Sequence, residues 1–253
     1  VDRTTFNYYD NDGLLIGSVD EEMFVTEYLY DKAGRKVETI RYANAASSSY
    51  QPTGSFTSAL PASWATVKAS ITPQPSDIHN YWLYDGRGLL GATIDGEGNV
   101  TRYQYNARGL VSQEVVGGKV TASTSYTLAS LPASSGTLDI TNYQYDARGQ
   151  MTLKQKALWG GNYANTFYNY DSMGNLVSQT TNETLSSDTR SSTFRYDAKG
   201  RLIGELSGNG SAALAALGAS PTQAQVDSVY ATYGTRYVYD SADRLIQKIA
   251  PDG

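Results

Sequence analysis

A short phrase that recurs eight times constrains this chain more than any other feature. Its copies read YYDNDGLLI, YLYDKAGRKV, WLYDGRGLL, YQYNARGLV, YQYDARGQM, YNYDSMGNLV, FRYDAKGRLI and YVYDSADRLI. A single Tyr-Asp-x-x-Gly would carry little weight, because turns that run from Asp to Gly are common. Eight copies with matching columns predict a series of similar supersecondary units that supply one another's core.

The tyrosine before the aspartate is taken as the anchor of each copy. The residue two positions before the anchor is aromatic in seven copies and is Asn7 in the first. Residues two apart in a strand lie on the same face, so the pattern predicts an aromatic face. The candidate structural positions, copy by copy, are Tyr9, Asp10 and Gly13; Tyr30, Asp31 and Gly34; Tyr84, Asp85 and Gly88; Tyr105, Asn106 and Gly109; Tyr145, Asp146 and Gly149; Tyr170, Asp171 and Gly174; Tyr196, Asp197 and Gly200; and Tyr239 and Asp240.

The residues after each anchor predict a tight turn. Asp or Asn at the first turn position can bond its own backbone, and Gly at the fourth supplies a positive φ, as in a type I turn that closes with a G1 bulge. Each copy is therefore predicted to be a β-hairpin in which the anchor faces the second residue after the glycine. That residue is apolar in seven copies and is Lys36 in the second. Asp243 replaces the last glycine, which leaves the turn type of that hairpin open.

A lone hairpin is marginal in water, so the hairpins are predicted to add edge to edge in an all-β fold of tandem antiparallel hairpin repeats. Residues 1–253 are expected to form one segment with insertions near 58–71, 117–140 and 211–234. The first and third are expected to be helical: Pro61 suits a first helical position, and Ser220 and Gln223 suit a capping box. The second is expected to be loop or short strands. All three are expected to pack against the sheet or cover its edges.

Composition excludes several classes of function. A hydrophobic content of 40% with 18% charged residues is typical of a folded protein. The net charge of −5 argues against a nucleic-acid partner, and no apolar run reaches the length of about 18 residues that a membrane-spanning helix needs. The chain has no cysteine and one histidine, so disulfides, thiolate sites and a usual zinc site are excluded.

No catalytic residue, cofactor or metal is predicted. A Ser–His–Asp hydrolase would need His79, which is expected in a solvated loop, and a glycosidase would need aspartates that the turns already use. The stretches beginning at Asp10 and Asp95 are similar to calcium loops but do not complete an EF-hand, which leaves a weak surface calcium as an alternative.

The repeated columns closely resemble the tyrosine-aspartate repeats of the Rhs/YD-repeat family, which includes bacterial Rhs polymorphic toxins, B and C components of insecticidal toxin complexes, and teneurins. The resemblance implies a curved, spiralling sheet or part of a hollow shell that encloses a C-terminal toxin segment. It also implies a non-enzymatic structural segment of a larger protein, secreted or at the cell surface. The partner would be the rest of that polypeptide.

The resemblance leaves an alternative: an extracellular adhesion or carbohydrate-binding module with glycans as partners. The family's Pro- and Asp-rich self-cleavage motif has no match in this sequence, which is expected to be part of a longer protein. The sequence does not say which sheet face would line a cavity, because the residue after the aliphatic column is also often apolar.

Overall fold

The computed structural model describes residues 5–46, 63–121, 125–132, 138–184 and 189–251. Sixteen antiparallel strands follow one another in a sheet in the order in which the chain forms them, which confirms the predicted all-β class. The strands are β1 Phe6–Tyr9, β2 Leu15–Val19, β3 Val25–Tyr30, β4 Lys36–Arg41, β5 Ile78–Tyr84, β6 Leu90–Ile94, β7 Asn99–Tyr105, β8 Val111–Lys119, β9 Asp139–Tyr145, β10 Met151–Ala157, β11 Tyr163–Tyr170, β12 Leu176–Glu183, β13 Thr189–Tyr196, β14 Leu202–Ser207, β15 Thr235–Tyr239 and β16 Leu245–Ile249.

The predicted register is confirmed in seven of the eight hairpins. In the hairpin β1–β2 the anchor Tyr9 pairs with Leu15, and a β-bulge shifts the register beside it. The same pairing and bulge recur in six further hairpins, whose anchor pairs are Tyr30–Lys36, Tyr84–Leu90, Tyr145–Met151, Tyr170–Leu176, Tyr196–Leu202 and Tyr239–Leu245. The bulge lies next to the turn in each case, so anchor and partner share one face of the sheet.

The chain divides into two compact units. The first comprises Val1–Gln104 and Val115–Leu138, and the second comprises Tyr105–Glu114 and Asp139–Gly253. The first unit holds two small cores, one around Val19, Val25 and Val67 and one around Ala92, Ile94 and Val100. The core of the second unit lies around Leu206, Val229 and Tyr230.

Helices lie in or at the edge of the two intervals for which helix was predicted: α1 Trp64–Ala69, α2 Asn209–Ala216, which begins two residues before 211, and α3 Gln223–Tyr233. Their starts differ from the expected ones. α1 begins after the N-cap Ser63, whose side chain accepts a bond from the Thr66 amide, so Pro61, which lies outside the described residues, is not its first residue. The capping box of α3 is formed by Thr222 and Gln225 rather than by Ser220 and Gln223.

The insertion between β8 and β9 contains a 3-10 turn over Leu128–Ser130, and a second such turn, Trp159–Gly161, joins β10 to β11. Each of the three insertions places a large side chain on a glycine of a strand. Trp64 lies over Gly17, Leu128 over Gly91 and Tyr230 over Gly204. A side chain at any of these glycines would occupy the space of the covering residue, so the glycines act as seats for the insertions.

Candidate functional site

The first repeated element of the candidate site is the aspartate turn. In the first copy the Asp10 carboxylate accepts bonds from the amides of Asp12 and Leu14, at 3.0 and 2.8 Å. The Gly13 amide donates to the Asp10 carbonyl, and Gly13 has a φ of 82°. In the other seven copies the side-chain oxygen of the turn residue accepts the same two backbone amides. These residues are Asp31, Asp85, Asn106, Asp146, Asp171, Asp197 and Asp240.

Two further turns of this type were missed by the sequence reasoning. Asp20 and Asp95 each accept two backbone amides and connect β2 to β3 and β6 to β7. Each of these turns connects one hairpin to the next where the two anchors are 21 residues apart. Asp95 carried a usable signal, a glycine three residues later, whereas Met23 occupies that position after Asp20.

At the turn position that requires a positive φ, two turns have a residue other than glycine. Met23 has a φ of 68° and Asp243 a φ of 62°. The left-handed region is disfavoured for residues with a Cβ, and Asp tolerates it better than most. Met23 is buried in the core around Val19, which offsets the backbone cost. The turn from Asp240 to Asp243 has the same backbone bonds as the glycine turns, so the last hairpin has the common turn.

The second repeated element is a hydrogen bond from an anchor hydroxyl to the preceding hairpin, which we call the phenol bridge. The Tyr30 hydroxyl donates to the carbonyl of Leu15 at 2.9 Å, and Leu15 is the residue that faces the previous anchor. Four more anchors make phenol bridges at 2.9–3.0 Å: Tyr84 to Lys36, Tyr145 to Val111, Tyr170 to Met151 and Tyr239 to Leu202.

The position of the phenol bridge explains why the anchor is tyrosine rather than phenylalanine. Between β10 and β11 the paired residues end at Leu153 and Phe167, so the Met151 carbonyl lies beyond the last pair. The Tyr170 hydroxyl donates to that carbonyl, which strand pairing leaves without a partner. A buried carbonyl without a donor costs about 1–3 kcal/mol, so the hydroxyl is part of the join between repeats.

The third repeated element is a set of side chains that reach from one turn to the next. Arg108 donates to the carbonyls of Asp146 and Ala147, and Arg148 donates to the carbonyl of Ser172. Lys199 and Arg201 form ion pairs with Asp243 of the following turn. These bonds run toward the later repeat, whereas the phenol bridges run toward the earlier one.

Cations also cover the aromatic rings of the next hairpin. The Arg35 guanidinium lies 4.5 Å from the centre of the Tyr84 ring, and that of Arg201 lies 4.9 Å from the Tyr239 ring. Lys36, the polar exception in the aliphatic column, places its Nζ 4.0 Å from the centre of the Trp82 ring. Its ammonium group therefore interacts with the face of an aromatic ring, and its stem covers the position that an aliphatic residue fills elsewhere.

Two of the tyrosines that stand two positions before an anchor donate hydrogen bonds to carboxylates. The Tyr143 hydroxyl donates to Glu114 at 3.0 Å, and the Tyr237 hydroxyl donates to Glu205 at 3.2 Å. Burial and the Glu114 hydrogen bond raise the pKa of Tyr143 to about 12. Burial also raises the pKa of the anchors Tyr30, Tyr145, Tyr170 and Tyr196 above the usual value of 10.

These shifts predict alkaline unfolding. A tyrosine whose pKa is raised in the folded state stabilises the fold fully below pH 10, and this contribution is lost as the pH rises through the folded-state pKa. We therefore expect the tyrosines whose pKa is raised to ionise above pH 10, in the same transition that removes the β-sheet circular dichroism. A titration in which the tyrosinate absorbance reaches its full value while the circular dichroism stays unchanged would contradict it.

His79 does not lie in a solvated loop, as the sequence suggested, but in strand β5. Its Nδ1 lies 2.7 Å from Oε1 of Glu38, and its ring stacks on Tyr81 with centroids 6.0 Å apart. Strand β5 pairs with β4, and His79 lies opposite Ile40 in that pairing. The contact between His79 and Glu38 is therefore made between two neighbouring strands of the sheet. Within the described residues, no group of three or more His, Asp or Glu side chains could hold a metal ion.

Each of the eight anchors thus ends a strand directly before a turn, and five of them form phenol bridges to the preceding hairpin. Residues 84–121 match the family model of the RHS repeat. This segment is similar to the RHS repeat. The matched segment begins at the anchor Tyr84 and contains the turns at Asp85, Asp95 and Asn106, so it covers one return turn and two hairpin turns. The resemblance to the Rhs/YD-repeat family is confirmed.

Solved structures with a similar fold belong to much longer chains. The crystal structure titled TcdB2-TccC3-Cdc42 is 16% identical to this chain, with a TM-score of 0.57, and the match covers 96% of this chain and 10% of that one. The TcdB2-TccC3 crystal structure is 14% identical with a TM-score of 0.48, over 96% and 13% of the two chains. The chain therefore spans about a tenth of these structures. None of the curated proteins compared with it matches in sequence.

Within the part of the chain that the structure describes, no helix has the length and apolar character needed to cross a membrane.

Proposed function

We propose that this chain is a non-enzymatic wall segment of a larger Rhs-type protein, in which the sheet encloses a C-terminal toxin or effector segment of the same polypeptide. The series of phenol bridges carries the proposal. Because each bridge joins a hairpin to the one before it, the repeats extend a sheet rather than surround a reactive group. The aspartates that could serve as acids or bases accept backbone amides in turns, which supports a structural role.

The similarity in fold to the TcdB2-TccC3-Cdc42 structure further supports a wall role. Nearly all of this chain matches one tenth of that longer chain, as expected of one stretch of a longer sheet. A wall built from many such stretches would separate an enclosed polypeptide from solvent and proteases. This function places the protein outside the cell, as a secreted or surface component.

Limited proteolysis of the longer polypeptide that contains this chain tests the enclosure. We expect the downstream segment to resist protease in the wild type and to be cut in a variant carrying Tyr145→Ala and Tyr170→Ala, because two consecutive phenol bridges of the wall would be lost. A variant carrying Gly86→Ala, at a glycine with nothing within 4 Å of the added Cβ, serves as the control. Equal digestion of the downstream segment in the wild type and the double variant would contradict the enclosure.

A glycan-binding role is a second candidate, favoured by one observation. Trp159 is 91% exposed in the turn between β10 and β11. Its flat apolar ring could stack on a sugar, as exposed aromatic rings do on π or C–H surfaces. Glycan-array binding that Trp159→Ala abolishes would support this role, and an array without a bound glycan would oppose it.

A further inference from the structure

A small cavity lies between the sheet and helix α3 in the second unit. It has a volume of about 200 Å³ and is lined by Arg195, Ile203, Gly204, Asp227, Tyr230 and Arg236. Gly204 of β14 forms its floor, and Tyr230 of α3 lies over that glycine. Strand β15 pairs with β14 on one side and with β16 on the other, so the cavity lies inside the sheet and not at an edge strand.

Two arginines flank the glycine at the floor of the cavity. Arg195 of β13 and Arg236 of β15 each lie opposite Gly204 in the strand pairing. Residues that are directly opposite in a sheet project from the same face, so both arginine side chains stand on the face that Tyr230 covers. A Cβ at Gly204 would overlap the Tyr230 ring, so the arrangement requires glycine between the two arginines.

Arg195 has a carboxylate partner in the cavity, whereas the buried Nε of Arg236 has no acceptor. Asp227 of α3 forms an ion pair with Arg195 and also accepts from Nε2 of Gln223 at 2.9 Å. The Nε of Arg236 is buried and donates to none of the described residues. A buried donor on a charged group is costly when it lacks an acceptor. The position of this Nε therefore indicates an acceptor that the described part of the chain does not supply.

The neighbouring carboxylate of β14 does not serve Arg236. Glu205 follows Gly204, so its side chain lies on the opposite face of the sheet, where the Tyr237 hydroxyl donates to it at 3.2 Å. The charged residues that line the cavity are two arginines and one aspartate, which leaves one positive charge. A ligand with a single negative charge would neutralise it.

We propose that this cavity binds a small organic monocarboxylate. The ligand carboxylate accepts hydrogen bonds from Nε and a neighbouring Nη of Arg236, the two-point contact that a planar guanidinium makes with a carboxylate. Its apolar body lies against the ring of Tyr230 and the side chain of Ile203. A cavity of about 150 Å³ holds a molecule the size of benzene, so this space suits an acid the size of acetate or benzoate. The proposal does not depend on whether the sheet encloses a toxin.

NMR of the ¹⁵N-labelled chain tests the site, because the Nε–H group of an arginine gives a signal of its own. The Arg236 signal is the one that is absent from the spectrum of Arg236→Lys. Titration with sodium acetate or sodium benzoate, at an ionic strength held constant with sodium chloride, is expected to shift this signal until it saturates. Sodium phosphate is expected to shift it less, because a dianion would leave the cavity with a net negative charge.

Three variants make the result specific, with the Gly204 amide signal as the measure of benzoate binding. Arg236→Gln removes the charged donor and is expected to weaken binding roughly ten- to a hundredfold. Asp227→Asn removes the negative charge at Arg195 and is expected to strengthen binding roughly two- to fivefold. Arg244→Gln is the control, because Arg244 is exposed and pairs with Asp240 in the turn of the next hairpin. It is expected to leave binding unchanged.

The gain expected from Asp227→Asn cannot come from misfolding, so the proposal does not depend on a loss of binding alone. A wild type whose Arg236 signal does not shift to saturation with either acid overturns the proposal. Equal affinity of the wild type and Arg236→Gln for benzoate, or weaker binding by a folded Asp227→Asn variant, overturns it as well. A signal that phosphate shifts and both carboxylates leave unchanged overturns the choice of a monocarboxylate.

Discussion

Tyr170→Ala is expected to lower the free energy of unfolding by about 2–4 kcal/mol, because it removes a half-buried aromatic ring and leaves the Met151 carbonyl without its donor. Tyr170→Phe keeps the ring and is expected to cost only about 0.5–1.5 kcal/mol. Chemical denaturation of the three proteins, followed by circular dichroism, measures both differences.

Tyr9→Ala is the matched control for Tyr170→Ala. Tyr9 has the same place in its repeat but is exposed and makes no phenol bridge within the described residues. Its loss is therefore expected to change the free energy of unfolding by less than about 1 kcal/mol. Equal losses for Tyr9→Ala and Tyr170→Ala would mean that the bridge to the preceding hairpin contributes nothing.

Gly17→Val is expected to destabilise the first unit by about 1–3 kcal/mol. A Cβ at Gly17 would overlap the ring of Trp64, so the tryptophan and helix α1 would have to move. Gly86→Ala, at a glycine with open space around it, is the control and is expected to be close to neutral. Thermal melts of both variants check the difference.

A double variant separates the effect of Gly17→Val on the packing of Trp64 from its effect on the strand itself. In a protein that carries Trp64→Ala, Gly17→Val no longer meets the ring, and valine suits a strand better than glycine. We therefore expect the second change to be neutral or stabilising in that background, with a coupling between the two sites. If Gly17→Val costs the same with and without Trp64, the glycine does not serve as a seat for the insertion.

The hairpins could be predicted from the sequence because their signals are local. Asp at the first turn position and Gly at the fourth determine the turn, and the turn determines that Tyr170 faces Leu176. The phenol bridge could not be predicted in the same way. It joins Tyr170 to a carbonyl 19 residues earlier, and every residue has a carbonyl, so no pattern of side chains marks the acceptor.

The errors have similar physical causes. Met23 was not recognised as a turn residue because its buried side chain, rather than glycine, offsets the positive φ. His79 was placed in a loop because its neighbours Ser76 and Asp77 are polar, whereas its strand is determined by pairing with β4. For α3, both Ser220 and Thr222 are good caps, and only the structure shows that Thr222 pairs with Gln225.

The direction of the phenol bridges also bears on the order in which the protein is made. Every bridge runs from a hairpin to one that lies earlier in the chain, for example from Tyr239 to Leu202. During synthesis the acceptor strand therefore leaves the ribosome before its donor, and a newly emerged hairpin finds its carbonyl already in place. Because neighbours in the sheet are neighbours in the sequence, each hairpin can dock without waiting for a distant part of the chain. The series of phenol bridges can thus be completed one hairpin at a time, at the pace of translation.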